Sequence, residues 1–178
     1  RILAKTRPNK HVDISSILAF GTLVSAFIPV DFYDFRPANI QLSSFKAKKA
    51  DLTALPFKNN SVASLSCMHT IEHIGLGRYG DPIDPQGDLT AMKELYRILA
   101  KGGNLLVVVP IGKPKLMFNA HRIYSYDQII NYFSDLKLVE FSLITDSGGN
   151  GIITNATKKL ANQQNHGCGC FWFKKPQG

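Results

Sequence analysis

The apolar positions of the chain fall into short runs divided by turn-forming residues. Runs at 11–14, 30–34, 105–109, 138–144 and 168–173 have strand length, with a weaker one at 45–50. The run 62–68, bounded upstream by Lys58-Asn59-Asn60, predicts a buried strand that ends just before His69. Between these runs the period lengthens. Leu89, Met92, Leu95, Tyr96 and Leu99 recur at three and four residues, which predicts a helix capped by Asp88 and ended by Lys101-Gly102-Gly103. Ser15 or Ser16 is placed to cap a helix reaching about Phe27, and 126–133 predicts another helix. Pro110 is expected to stop the strand before it. Residues 147–167, rich in Gly, Asn, Gln and Thr, predict a flexible loop within a single domain spanning 1–178.

Strands alternating with helices call for an α/β fold with a mainly parallel sheet covered on both faces. Ligands bind such sheets beyond the carboxyl ends of the strands, where the strand order reverses. That rule directs attention to Asp13–Ser16, Asp34, Asp51, 69–73 and the residues after Pro110. One of these stretches, His69-Thr70-Ile71-Glu72-His73, also spells H-x-x-E-H, the inverted zinc-peptidase signature. Zinc would need both histidines on one helical face. A strand running into His69, with Gly75, Gly77, Gly80, Pro82 and Pro85 crowding the chain after His73, argues against that helix, so no metal site is expected.

Composition narrows the class. The chain has 178 residues, 44% apolar and 19% charged, which suits an ordinary globular core rather than a disordered segment. Its net charge of +8 favours anionic ligands, yet the lysines are scattered without the pattern of a nucleic-acid module, and no nucleic acid is expected. Three cysteines, none at metal-finger spacing, read as core thiols of a cytoplasmic protein. Cys168 and Cys170 would share one strand face. The uncharged run 14–30 is interrupted by polar residues and a proline, so no membrane span is expected.

The stretches "DLTALPFKNNSVASLSCMHTIEHI" and "ELYRILAKGGNLLVVVP" resemble, in order and spacing, the fourth-strand and fifth-strand motifs of class I S-adenosylmethionine-dependent methyltransferases. "GRYGDPIDPQGDL", "GKPKLMFNAHRIYS" and "GCGCFWFKK" resemble a branch of that superfamily filed as a domain of unknown function. The resemblance covers roughly residues 9–175 and implies a Rossmann-like, doubly wound, mainly parallel seven-stranded sheet with helices on both faces. It implies S-adenosyl-L-methionine as cofactor, with Asp13, Ser15, Ser16, Asp34, Asp51, Leu52 and His69 on the cofactor side. In "HVDISSILAFG", Ser15 and Ser16 stand where the family usually has glycines, so any positive φ there carries strain.

Each position also has a plain structural reading. Asp34 is placed to accept both ribose hydroxyls or to serve as a turn residue before Arg36-Pro37, and Asp51 to meet the adenine amino group or to cap a turn. His69 either lines the cofactor or bonds to backbone. His73 and His121 are the candidate bases for a hydroxyl acceptor, although Glu72 and His73 equally suit a loop-holding role. His121, Arg122 and Tyr124 lie in the segment after the fifth strand and are expected on the substrate side. Asp84, in an acidic loop with Asp81 and Asp88, suits a small-molecule or glycan acceptor or a solvated turn. The activity implied is O-methylation of such an acceptor; the alternative is an inactive methyltransferase-like binding module.

Elemental analysis of the purified chain is expected to find no stoichiometric zinc. One zinc per chain, lost on His69→Ala, would overturn the strand reading of the H-x-x-E-H segment.

Overall fold

The computed structural model describes residues 1–149 and 151–177. Its main sheet holds 8 strands, and five of them run parallel: β1 (His11–Ile14), β2 (Val30–Asp34), β3 (Phe45–Lys49), β4 (Val62–Met68) and β5 (Leu99–Ile111). β8 (Lys137–Ile144), β9 (Ile152–Thr154) and β10 (Gly167–Lys174) complete the order β3-β2-β1-β4-β5-β10-β8-β9, with β10 antiparallel to both neighbours. A hairpin of β6 (Lys115–Met117) and β7 (His121–Ile123) stands apart. The order reverses between β1 and β4, the switch point at which a cleft is expected.

Strand alternation divides the sheet into two faces. Ile14 of β1, Leu65 and Cys67 of β4, and Leu105, Val107 and Val109 of β5 share one core with α3 (Gly87–Ile98), which buries Ala91, Met92, Leu95 and Ile98 at helical spacing. The helices α4 (Tyr126–Tyr132) and α5 (Lys158–Asn162) add Ile129 and Ala161 to that core. α4 starts on a capping box, with Ser125 accepting from the Gln128 amide and Gln128 bonding back to the Ser125 amide. On the opposite face α2 (Leu18–Ser25) packs over Val30, Phe32 and Phe45. Gly21 permits the approach, since a Cβ there would meet the Phe45 ring at 2.9 Å. Among the described residues no helix is long and apolar enough to cross a membrane.

The alternation that buries Leu65 and Cys67 on the α3 side turns Ser64 and Ser66 to the other face, against His11 and Asp13 of β1. His11 lies with Nδ1 2.8 Å from the Ser64 hydroxyl and Nε2 2.8 Å from that of Ser66. Ser66 donates to Asp13, which also accepts from the Ser16 amide at 3.0 Å and the Ser16 hydroxyl at 2.7 Å. Ser16 in turn accepts from the Met68 amide at 3.1 Å. His11, Asp13 and Ser66 are fully buried, so these bonds satisfy groups that would otherwise be costly to desolvate.

Several elements depart from expectation for identifiable reasons. The sheet has an eighth strand because β9 pairs with β8 at the edge. Residues 147–167, expected as a loop, contain β9 and α5. α2 begins at Leu18 with Ile17 at its cap, because the Ser16 hydroxyl is already committed to Asp13 and Met68. α3 ends at Ile98, and Lys101-Gly102-Gly103 forms an irregularity inside β5, where the register with β4 shifts and Gly102 takes φ +74°. β5 continues through Pro110 to Ile111. The missing N–H of Pro110 falls beyond the last β4 pair, Met68 with Val108, so no bond of that ladder is lost. Helix α1 (Ile2–Thr6) and the β6–β7 hairpin carry little apolar periodicity and were not expected.

Burial pushes the His11 imidazole down from 6.5 to about 4 and the Asp13 carboxyl up from 3.8 to about 6, the latter against the hydrogen bonds from Ser66 and Ser16. The two act oppositely on stability. Below pH 6.5 the unfolded chain protonates His11 more readily than the folded one, so acid destabilises; between pH 6 and 3.8 the folded chain protonates Asp13 more readily, so acid relieves a cost. Acidifying from pH 7 to pH 5 should cost about 2 kcal/mol through His11 and return about 1 kcal/mol through Asp13. Thermal melts at the two pH values are therefore expected to diverge: Asp13→Asn should lose about 2 kcal/mol on acidification, whereas His11→Asn should gain about 1 kcal/mol. Equal acid slopes in the two variants would contradict the assignment.

Candidate functional site

Beyond the carboxyl ends of β1, β2 and β4 lies a cleft of about 510 Å³. Three strand-to-loop turns build its floor. Ser15, the residue after β1, takes φ +54° and donates its amide to the Tyr33 carbonyl at 2.7 Å and its hydroxyl to the same oxygen at 3.2 Å. Asp34 ends β2, accepting the Arg36 amide at 2.7 Å on one carboxylate oxygen. His69, after β4, takes φ +55° with its amide on the Val108 carbonyl at 2.8 Å. The Thr70 hydroxyl reaches the Ser15 carbonyl at 2.8 Å and so ties the first and third turns together.

The roof is the loop between the 3-10 turn Ile71–His73 and α3. Asp81 folds it by accepting the Gly75 amide at 2.8 Å, the Gly77 amide at 3.3 Å and the Tyr79 amide at 3.2 Å. Gly75 has φ +78°, and a Cβ there would lie 2.0 Å from the Asp84 carbonyl, so only glycine fits. Arg36 crosses from the β2 side to the Tyr79 carbonyl.

Of the residues expected in the site, Ser15, Asp34, Asp51, Leu52, His69, His73 and Asp84 line this cleft together. Asp51 is also a turn residue, with Oδ1 accepting the Thr53 amide at 2.8 Å and hydroxyl at 2.7 Å. Asp84 accepts the Gln86 amide at 2.9 Å. His73 donates from Nδ1 to the Ala120 carbonyl at 2.6 Å, which leaves Nε2 holding the lone pair in the neutral ring, 3.9 Å from Glu72 Oε1.

The other expected residues lie outside the lining. Asp13 and Ser16 sit in the buried network beneath the floor and act on the cleft through Ser15 and Met68. Arg122 is buried, bonding the Ile74 carbonyl at 2.7 Å and the Pro85 carbonyl at 3.2 Å and pairing with Asp88 at 3.4 Å. Tyr124 donates to Asp88 at 2.9 Å, and burial followed by the Asp88 charge pushes its hydroxyl far up. Arg122 and Tyr124 thus anchor the roof loop through Ile74, Pro85 and Asp88. His121 packs between His73 and His166, at ring separations of 6.3 Å and 4.9 Å; its Nε2 is buried with no partner among the described residues, and burial first, then the charges of His166 and His73, hold its pKa down. The H-x-x-E-H segment does not form a helix with two aligned histidines: His69 is left-handed, His69 Nδ1 meets Glu72 Oε1 at 3.1 Å, and His73 turns to Ala120. Arg36, Thr70 and Tyr79 were missed because nothing in their local sequence separates them from ordinary loop residues.

The family model described as "Caenorhabditis protein of unknown function, DUF268" matches residues 33–165. The chain belongs to that family. No curated protein matches it. Solved structures share the fold of this DUF268 chain at low identity. An S-adenosylmethionine-dependent methyltransferase from Methanosarcina mazei is 12% identical at TM-score 0.66, over 99% of this chain and 98% of that one. The YcgJ protein of Bacillus subtilis is 14% identical at TM-score 0.65, over 99% and 97%. A Burkholderia thailandensis 1,6-didemethyltoxoflavin-N1-methyltransferase, solved with S-adenosylhomocysteine, is 10% identical at TM-score 0.64, over 98% and 74%. The DUF268 chain therefore has the class I methyltransferase fold, with strand order and switch point as described.

The two serines of the first turn are expected to respond oppositely to glycine. Ser15→Gly removes left-handed strain and should stabilise the chain by up to about 1 kcal/mol, roughly 2–4 °C in melting temperature. Ser16→Gly removes two bonds of the buried network and should destabilise by about 2–3 kcal/mol. Melting curves of both variants check this, and a loss of stability in Ser15→Gly would remove the strain argument.

Proposed function

We propose that the cleft binds S-adenosyl-L-methionine and that the chain transfers its methyl group to a hydroxyl of a small-molecule or glycan-like acceptor. The position of Asp34 carries the reading. A carboxylate at the end of the second strand, beside the switch point, is suited to accept hydrogen bonds from both hydroxyls of a ribose. The surroundings fit the same ligand. The cleft's volume lies within the roughly 300–1,000 Å³ of small-molecule sites, and buried Leu52 offers an apolar surface next to Asp51 for a flat heterocycle.

The cofactor supplies an electrophilic methyl group on a neutral leaving group, so this chain's residues need to align the acceptor and take its proton rather than provide an acid. His73 is the base of this reading. Its Nδ1–H is held by Ala120, its Nε2 keeps the lone pair, and the Glu72 carboxylate 3.9 Å away stabilises the imidazolium formed when the proton arrives. His121, off the cleft lining, acts through packing against His73. Asp84 on the lining is the hydroxyl-binding group for the acceptor.

One observation favours the second reading, a binding module without turnover. Ser15 replaces a family glycine in a strained conformation and spends its hydroxyl on the Tyr33 carbonyl rather than offering it to a ligand. Calorimetric titration with S-adenosylhomocysteine separates the readings. Wild-type chain is expected to bind, and Asp34→Asn to bind at least tenfold more weakly, about 1.4 kcal/mol or more, with little change in melting temperature. His73→Gln is expected to retain binding while abolishing turnover. Absence of binding by the wild type would overturn the cofactor assignment, and unchanged affinity in Asp34→Asn beside a lower melting temperature would make Asp34 a turn residue only.

A further inference from the structure

At the edge of the cleft, the loop after β4 meets the first residues of β10, and three groups with complementary chemistry come into line. Cys168 Sγ lies 3.4 Å from His69 Nε2, and His69 Nδ1 lies 3.1 Å from Glu72 Oε1. Glu72 is 2% exposed, and its second oxygen is buried with no hydrogen-bond partner among the described residues. Such a carboxylate is stabilised when its neighbour carries a positive charge. The His69 side chain is half exposed, so the thiol–imidazole contact is open to a small molecule. Cys170 is a second free thiol two residues along the same strand face. No role in methyl transfer accounts for this thiol.

We infer that Cys168 is a nucleophilic thiol, activated by His69 and oriented through Glu72, that captures small conjugated carbonyl compounds covalently. Cys170 and then His69 pull the Cys168 thiol down to about 5, against the effect of burial, while the bonds to Cys168 and then Glu72 push His69 up to about 10. A thiol 3.4 Å from an imidazole that is itself 3.1 Å from a buried carboxylate is an arrangement that favours thiolate beside imidazolium. Glu72 and His73 on the 3-10 turn and Cys170 on β10 are the titratable groups around it, with Glu140 acting on Cys170. Conjugate addition uses both members of the pair. The thiolate sulfur forms a bond to the β-carbon, the double-bond electrons move to the carbonyl oxygen as an enolate, and the imidazolium of His69 supplies the proton that completes the adduct. The step consumes one thiol and one alkene and needs no other reactant. It is independent of S-adenosylmethionine, so the methyl-transfer reading and this one stand or fall separately.

Labelling with N-ethylmaleimide, itself a conjugated carbonyl, tests the inference on the full chain without added cofactor. Adduct formation at each cysteine is followed by peptide mass spectrometry at pH 8 and pH 6. An ordinary thiol slows roughly 80-fold over that interval, because its thiolate fraction falls with a pKa near 8.5. Cys168 is expected to slow less than tenfold and to be the first cysteine labelled. His69→Asn keeps a residue tolerant of the left-handed backbone, and is expected to cut the rate at pH 6 at least tenfold. Glu72→Gln removes a carboxylate charge that raises the Cys168 thiol, and is expected to move the midpoint of the Cys168 rate profile downward, a shift that mere loss of packing would not cause. A tenfold or greater slowing of Cys168 in the wild type, or an unchanged rate at pH 6 in folded His69→Asn, overturns the inference. The wild-type profile decides the matter even if the variants fail to fold.

Discussion

Between β1 and β4, where the sheet changes direction, His11 and Asp13 share the hydroxyl of Ser66 in a fully buried position, and Asp13 passes the connection on through Ser16 to the amide of Met68. The strands themselves pair there over only two positions, Val12 with Leu65 and Asp13 with Ser66. Side chains thus do much of the work that a longer ladder would do. Because each polar group in the set is buried, removing one leaves its partners unsatisfied, which costs more than the lost bond alone. Fixing Asp13 and Ser16 fixes Ser15 between them, and fixing Met68 fixes the start of the His69 turn. The floor of the cleft follows from this network.

The roof is held by a separate set of constraints. Arg122 and Tyr124 converge on Asp88 at the start of α3, and Arg122 reaches back to the carbonyls of Ile74 and Pro85. Gly75 allows the two ends of the roof loop to touch, and Asp81 gathers its backbone amides. Charged and aromatic side chains beside a cleft invite assignment as ligand contacts. Here they are buried and bonded to the roof loop and Asp88, while Asp34, His69, His73 and the acidic positions of the roof line the cleft.

His69 occupies the junction of two chemistries. One side of its ring faces the lining of the switch-point cleft, and its two nitrogens connect Cys168 with Glu72. Its left-handed backbone is uncommon for a bulky residue and is held by the bond to Val108. Strain of this kind persists where surrounding structure over-determines it, and it gathers at functional sites.

Much of the fold was legible from the chain alone. Short apolar runs marked β1, β2, β4, β5, β8 and β10, and the three-and-four spacing marked α3, because burial on one or two faces leaves its period in the sequence. The same logic put Ser15, Asp34 and His69 at strand ends, and so in the cleft, since a parallel sheet presents all those ends to one side. What local pattern could not hold was decided by contacts distant in sequence. Ser64 and Ser66 look like weak spots in a strand until His11 and Asp13 are set against them. Arg122 and Tyr124 follow the fifth strand in sequence, and only the fold sets Asp88 beside them. Cys168 looked like a core thiol because its partner is 99 positions away along the chain. Only the tertiary structure could bring β10 beside the end of β4, and the pairing of a thiol with an imidazole exists nowhere in the sequence because it depends on the distance between side chains, not on their order.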